Sequence, residues 1–375
     1  MKILLTGGGT GGHFYPILAV ARALKKLAEA ESIARLDLLY LSDHPFNADL
    51  LQQIGIRYHR IPAGKMRRYF SILNITDFLK TAVGMLSAIW RSLIEVPDVV
   101  FAKGGYASFP ALSAARLLNI PVVVHESDTV PGRVNRWAAR FAKRVAIAFP
   151  EAAEFFPKEK TALVGNPIRS EIIGGNLEEA AVIFGATLAP TVLVLGGSQG
   201  SERINNAILA ILRDLVSDAR VIHQCGDTNY ETVAKQSATV LEGHEYRERY
   251  RLFGSLDEGE LRNAALVATV IVSRAGAGAI FEAAAWGKPA ILIPLPESAG
   301  DHQRKNAYAY ARTGASLVIE ESNLTPSVLA TEIRKIIQDP ERQEKMRTAA
   351  RAFARPDAAA VLAKEIMALA LEHAK

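Results

Sequence analysis

Short runs of apolar, often β-branched residues alternate along the chain with segments of helical length. The runs fall at 3–5, 36–41, 99–102, 122–125, 145–148, 191–195, 220–224, 270–273 and 290–293. Strands of this kind, separated by helices, predict an α/β fold with parallel sheets covered by helices. The chain also repeats itself. Residues 99–105 end a strand in a glycine pair and open an alanine-rich helix, and Ile120-Pro121 then starts a strand ending at Glu126. Residues 271–276 likewise lead from a strand, here through Gly276, into an alanine-rich helix, followed by Lys288-Pro289 and a strand running on to Glu297. Two doubly wound halves of one plan are therefore expected, residues 1–164 and 165–355. The break is placed at Gly165-Asn166-Pro167, where a glycine and a proline follow the last strand of the first half.

Composition narrows the class. A chain of 375 residues, 49% hydrophobic and 22% charged, is globular and too long for one ordinary core. Its longest apolar runs, such as 264–272, fall short of the roughly 18 residues a membrane span requires, and Arg91 and Glu95 interrupt the stretch around Trp90. Met1 leads straight into a strand and a glycine loop with no secretory leader, so a cytoplasmic protein is expected. The single cysteine, Cys225, excludes an internal disulfide and a multi-cysteine metal site, and is expected as a small buried apolar residue. A formal charge of +5 suits an anionic partner, a phosphate or an acidic lipid surface, without choosing between them.

The candidate chemistry sits where strands turn into helices. Gly7-Gly8-Gly9-Thr10-Gly11-Gly12-His13 follows the first strand and precedes a helix expected from about Pro16 to Ala28. Gly7, Gly9 and Gly12 fit G-x-G-x-x-G, in which glycines let backbone amides approach an anion at a helix N-terminus. A nicotinamide-dependent oxidoreductase using this loop, with Asp43 as its ribose ligand, is one reading. The second half opens in the same way, with Gly196-Gly197-Ser198-Gln199-Gly200-Ser201. Two such loops suit an enzyme with a donor on one side and an acceptor on the other better than they suit one dinucleotide. Ser273-Arg274-Ala275-Gly276-Ala277-Gly278-Ala279 is a further small-residue turn open to a diphosphate. Glu282, one helical turn on, can accept both hydroxyls of a ribose or stand as a solvated helix-end carboxylate. The polar loop from Pro294 to Asn306 follows the next strand, where ligand contacts gather.

Taken together, Gly8 to His13, Lys103-Gly104-Gly105-Tyr106, His125-Glu126, Gly165-Asn166-Pro167-Ile168-Arg169, Gly196 to Gly200, Ser273 to Gly276 and Asp301-His302-Gln303 resemble the MurG family, in unbroken order over nearly the whole chain. That resemblance implies the GT-B glycosyltransferase fold, two Rossmann-like parallel-sheet domains facing across a cleft, with the final helix, 356–375, packing back on the first. It implies transfer of N-acetylglucosamine from UDP-N-acetylglucosamine to undecaprenyl-pyrophosphoryl-N-acetylmuramoyl-pentapeptide, lipid I, with inversion and without cofactor, and nucleic acid is not among the expected partners. Arg169, Ser198, Leu256 and Gln303 fall at donor positions, Leu256 by the uracil, Glu282 by the ribose and Gln303 toward the sugar. Ala277, Gly278 and Ala279 border the diphosphate, and Thr10, Gly11 and Gly12 come from the first domain. Two departures stand out: Asp128 replaces a usual asparagine, and Ala279 a usual threonine, leaving backbone amides more of the phosphate to hold.

The acceptor hydroxyl needs a base, and the departing diphosphate needs positive potential. His13 is the candidate base, the alternative being that it only orients the acceptor pyrophosphate or caps the loop, and Glu126 is the second candidate. Tyr106 and Asn205 are expected to position the acceptor. No D-x-D pair occurs in the sequence, so no metal is expected. A lipid-linked acceptor calls for docking on an anionic membrane surface at its cytoplasmic face. The basic and apolar stretch Lys65-Met66-Arg67-Arg68-Tyr69-Phe70, continuing through Ile72, Leu73, Ile75, Phe78, Leu79 and Lys80, is the candidate. A catalytically silent nucleotide-sugar-binding subunit remains the third reading.

Overall fold

The computed structural model describes residues 1–8, 10–64, 73–197 and 200–373. The chain divides into two compact units, Met1–Arg169 with Arg355–Lys375, and Ser170–Ala354.

In the first unit the elements run β1 (Lys2–Thr6), α1 (Gly11–Ala30), β2 (Asp37–Ser42), α2 (Ala48–Gln53), β3 (Arg57–Arg60), α3 (Leu73–Glu95), β4 (Val99–Ala102), α4 (Phe109–Leu117), β5 (Val122–Glu126), α5 (Arg133–Ala138), β6 (Arg144–Ile147) and β7 (Thr161–Leu163). The second unit follows with α6 (Leu177–Phe184), β8 (Thr191–Leu195), α7 (Glu202–Asp218), β9 (Arg220–Gln224), α8 (Tyr230–Val240), β10 (Tyr250–Phe253), α9 (Glu258–Val267), β11 (Val270–Ser273), α10 (Ala277–Ala285), β12 (Ala290–Leu292), α11 (His302–Ala311), β13 (Ser316–Val318), α12 (Pro326–Ile337) and α13 (Pro340–Phe353). The last helix, α14 (Ala358–His373), belongs to the first unit.

Both sheets are parallel, in the orders β3-β2-β1-β4-β5-β6-β7 and β10-β9-β8-β11-β12-β13. The repeat visible in the sequence is therefore real: β4 and β11 are the fourth strands of their units, each beside the first strand. Both faces of the first sheet are covered, which explains its unbroken apolar runs. Ile3, Leu5, Val99 and Phe101 pack with α1 and α14, whereas Leu4, Val100, Ala102, Val122 and Val124 pack toward α4 on the opposite face. Leu362, Ile366 and Met367 fill the first of these layers beside Ile17, Leu18 and Leu24. Cys225 is a buried member of the second unit's core.

The first helix corrects the expectation that Pro16 would begin it. It starts at Gly11 and runs through Pro16. The missing proline amide leaves only the Gly12 carbonyl without its intrahelical bond, within the first turns where such a loss is most easily borne.

Candidate functional site

In each unit the first strand lies between neighbours whose connections leave in opposite directions, β2 and β4 around β1, β9 and β11 around β8. Ligands of open α/β sheets bind at the carboxyl ends of strands beside such a switch point. Thr10, Gly11, Gly12, His13, Tyr106, Glu126 and Asp128 all follow or end β1, β4 and β5 in the first unit. Leu256, Ala277, Gly278, Ala279, Glu282 and Gln303 follow β10, β11 and β12 in the second. Ser198 lies outside the described residues, as does Gly9.

The β1 turn is drawn against β4 by the Gly8 amide, which donates to the Gly104 carbonyl at 3.0 Å. Thr10 is the N-cap of α1, but its hydroxyl meets His13 Nδ1 at 2.9 Å instead of capping a backbone amide. Gly12 is exposed, and a Cβ there would meet nothing within 4 Å. The first turn of α1 thus presents backbone amides that no side-chain cap consumes. The His13 ring lies over Gly8 and Gly105; a Cβ on Gly105 would stand 3.5 Å from Nε2. When Nδ1–H donates to Thr10, Nε2 carries the lone pair a base requires. Arg169 is grouped with this unit, and its guanidinium stacks 4.1 Å over the Tyr15 ring of α1. Tyr106 is half-buried, its hydroxyl pKa raised by burial and then by Asp43 and Asp77.

Behind this surface is a buried polar network that sequence reasoning missed. Lys103, the residue after β4, is buried, and its ammonium meets the Ser127 hydroxyl. Burial pushes its pKa down to about 8, against the pull of Glu126 and Asp128. Ser127 donates to Asn166 at 3.2 Å. Glu126 holds the loop after β5: Oε1 accepts from the Asp128 amide at 3.1 Å, and Oε2 from the Gly132 amide at 3.0 Å and Asn135 at 2.9 Å. Burial, then Asp128, raises its pKa. The neighbouring His125 hydrogen bonds the Gly165 carbonyl at 2.8 Å, and burial holds its pKa well below the usual histidine value, so it is neutral. A carboxylate so fully engaged shapes the loop carrying Asp128, a different task from accepting a substrate proton. The sequence signal available was a lysine directly after an apolar strand, a place where a charge survives burial only with partners.

In the second unit, Gly200 has φ 76°, and a Cβ on it would overlap the Cys225 carbonyl oxygen. That carbonyl accepts from Asn205 and Asn229, each at 3.0 Å. Asn205 Oδ1 meets His223 Nε2 at 3.0 Å, and His223 Nδ1 meets the Tyr250 hydroxyl at 2.9 Å. Burial takes the His223 pKa down to about 3. Asn205, expected as an acceptor contact, is buried with both ends of its amide engaged behind the glycine turn. The next turn is open: Cβ atoms on Gly276 or Gly278 would meet nothing within 4 Å, and Gly276 caps α10 without a side-chain bond. Glu282 lies half-buried one turn along that helix, and Leu256 half-buried between β10 and α9. Gln303 is anchored at the head of α11, its side-chain Oε1 accepting from the Leu295 amide at 3.0 Å and its backbone N–H donating to the Ser298 hydroxyl at 3.2 Å.

Known proteins share this arrangement. Residues 3–147 match the glycosyltransferase family 28 N-terminal domain and residues 191–362 its C-terminal domain. A UDP-N-acetylglucosamine--N-acetylmuramyl-(pentapeptide) pyrophosphoryl-undecaprenol N-acetylglucosamine transferase of Clostridium tetani is 37% identical over 347 residues, 91% of each chain. The protein of the same name from Listeria welshimeri is 36% identical over 373 residues, covering 98% of this chain and 99% of its own. The crystal structure of Acinetobacter baumannii MurG superposes with a TM-score of 0.74 at 27% identity, covering 98% of this chain and 99% of that one.

Proposed function

Because this chain belongs to glycosyltransferase family 28 and, within it, to the MurG family, we propose that it transfers N-acetylglucosamine from UDP-N-acetylglucosamine to the C4 hydroxyl of the N-acetylmuramoyl group of lipid I, forming lipid II for peptidoglycan. The observation that carries this reading is likeness over the full length of both units. A nicotinamide enzyme would use the first glycine loop and leave the second without a task. A silent sugar-binding subunit would not need both.

In this reading the second unit holds the donor. The turns at 196–201 and 273–279 offer backbone amides to the diphosphate, Glu282 takes the ribose hydroxyls, Leu256 borders the uracil, and Gln303 reaches the sugar. Ser198, Arg169, Thr10, Gly11, Gly12 and Asp128 complete the donor contacts. The first unit serves the acceptor, with Tyr106 positioning it and His13 Nε2 removing the proton of the attacking hydroxyl as the bond from the anomeric carbon to UDP breaks. The attack comes from the face opposite UDP and inverts the anomeric centre. Amide dipoles and Arg169 stabilise the departing UDP, and no metal is required. Glu126 and Asn205 are better understood as positioning residues, one for the loop bearing Asp128 and one for the second glycine turn.

The acceptor's lipid brings the enzyme to a membrane surface. Among the described residues no helix is long and apolar enough to cross one. Helix α3 has a face that suits docking: Leu79, Val83, Leu86, Trp90 and Leu93, spaced by three or four, are each 54–69% exposed, with Phe78 beside them at 72%. So large an apolar stripe marks an interaction surface, and Lys80 and Arg91 flank it with exposed charge. The docking stretch expected from the sequence thus extends well past Lys80, while its basic part, residues 65–72, lies outside the described residues.

One assay tests both parts. With a chelator present, the protein is expected to release UDP from UDP-N-acetylglucosamine on lipid I in anionic vesicles and on a short-chain soluble analogue. Leu86→Ser with Trp90→Ser removes about 1.5 kcal/mol or more of burial at each position. The vesicle reaction should then slow about tenfold or more, with the soluble one unchanged. Dependence on added divalent metal contradicts the mechanism, and equal losses on both acceptors contradict the docking face.

A further inference from the structure

The turns assigned to the donor leave the ends of β8, β11 and β12, and one short segment bonds to all three neighbourhoods. It is the turn of 3-10 helix Glu321–Asn323 that follows β13. Glu321 is buried, only 6% of its side chain being exposed. Its Oε1 accepts from Arg203 Nε at 2.8 Å, in the first turn of α7 directly after the second glycine loop. Its Oε2 accepts from Arg274 Nη1, on the turn between β11 and α10, and Arg274 Nη1 also donates to the Ile293 carbonyl at 3.3 Å, at the end of β12. Glu320 extends the same link. It accepts from the Tyr308 hydroxyl at 2.8 Å and lies 3.8 Å from Arg304, both on α11. Arg304 Nε in turn donates to Asp301 at 2.7 Å, and Asp301 is held at φ 60°, a left-handed conformation, two residues before Gln303.

We propose that Glu321, supported by Glu320, is a positioning residue that fixes the spacing of the three donor turns. The inference rests on the reading that these turns hold UDP-N-acetylglucosamine. A buried ion pair stabilises little in net terms, because desolvation offsets its Coulomb energy, and an apolar residue of similar size would pack as well. What an apolar residue would not supply is direction. One carboxylate between two guanidinium groups sets the distance between the helix carrying Arg203 and the turn carrying Arg274. Glycine-lined turns have few side chains of their own with which to keep register, so a bridge from outside answers that need.

Glu321→Gln preserves the shape and removes the charge that satisfies both arginines. Steady-state kinetics should show the KM for UDP-N-acetylglucosamine raised about tenfold, the KM for a soluble lipid I analogue unchanged within twofold, and kcat reduced no more than threefold; calorimetry should show UDP binding weakened to match. A role in stability alone lowers Tm and leaves the donor KM in place, which overturns the proposal. Should Glu321→Gln fail to fold, Arg203→Ala decides, since that side chain is 68% exposed and its loss leaves the Arg274 pair intact. A donor KM raised about threefold with an unchanged acceptor KM supports the bridge, and an unchanged donor KM overturns it. Wild-type protein that binds no UDP would instead remove the donor reading itself, and this inference with it.

Discussion

Replacing His13 by alanine is expected to lower kcat by about a hundredfold or more, the range that a well-placed general base contributes, while the KM for UDP-N-acetylglucosamine stays within about twofold. The expectation rests on geometry. Thr10 meets Nδ1 at 2.9 Å, which directs Nε2 away from its own loop, and the missing side chain of Gly105 leaves that nitrogen room. Thr10→Val removes the hydroxyl that meets Nδ1 and holds the ring, and should cost a smaller part of the same factor. Turnover of His13→Ala equal to the wild type removes His13 as the base. Glu126 would not then inherit the task by default, because its two oxygens already accept from Asp128, Gly132 and Asn135.

Gly200→Ala is expected to weaken UDP binding by more than tenfold and to lower Tm. Its φ of 76° costs an alanine about 1 kcal/mol, and the added Cβ must displace the Cys225 carbonyl oxygen. That oxygen anchors Asn205 and Asn229, and through Asn205 the buried His223 with its Tyr250 partner, so the strain reaches a connected polar network. Gly197→Ala is the control. Its φ is 87°, but a Cβ there meets nothing within 4 Å. The torsional cost is therefore shared, and only Gly200→Ala carries the displacement. Calorimetric titration with UDP separates the two, and equal affinities for both variants would show that the glycine turn is not held from behind as described.

The parts of the fold that were legible share a physical cause. Each strand read from the sequence is an inner strand of its sheet, and the strands not read, β3, β7, β10 and β13, are the four edges. An inner parallel strand is covered on both faces and becomes a continuous apolar run, whereas an edge such as Arg57-Tyr58-His59-Arg60 is partly solvated and polar. The start of α1 was misplaced because Pro16 resembles a first-turn proline, while a helix tolerates it a turn later. At the candidate site the glycine turns and His13 could be read because spacing within a few residues encodes them. Lys103 with Ser127 and Asn166, and Glu321 with Arg203 and Arg274, could not, since those partners meet only after distant strands are paired. Asn205 shows the converse. Its place after a glycine loop suggested a ligand contact, and only its burial reveals that the amide is committed to the protein.

The most direct test of where the chemistry is divided is a crystal structure of the full chain with UDP-N-acetylglucosamine. The nucleotide should lie on the second unit, its diphosphate against the turns at 196–201 and 273–279 and its ribose within hydrogen-bond reach of Glu282. A uridine diphosphate seated instead on the 7–13 loop of the first unit, with the second unit's turns empty, would contradict the assignment of donor and acceptor alike.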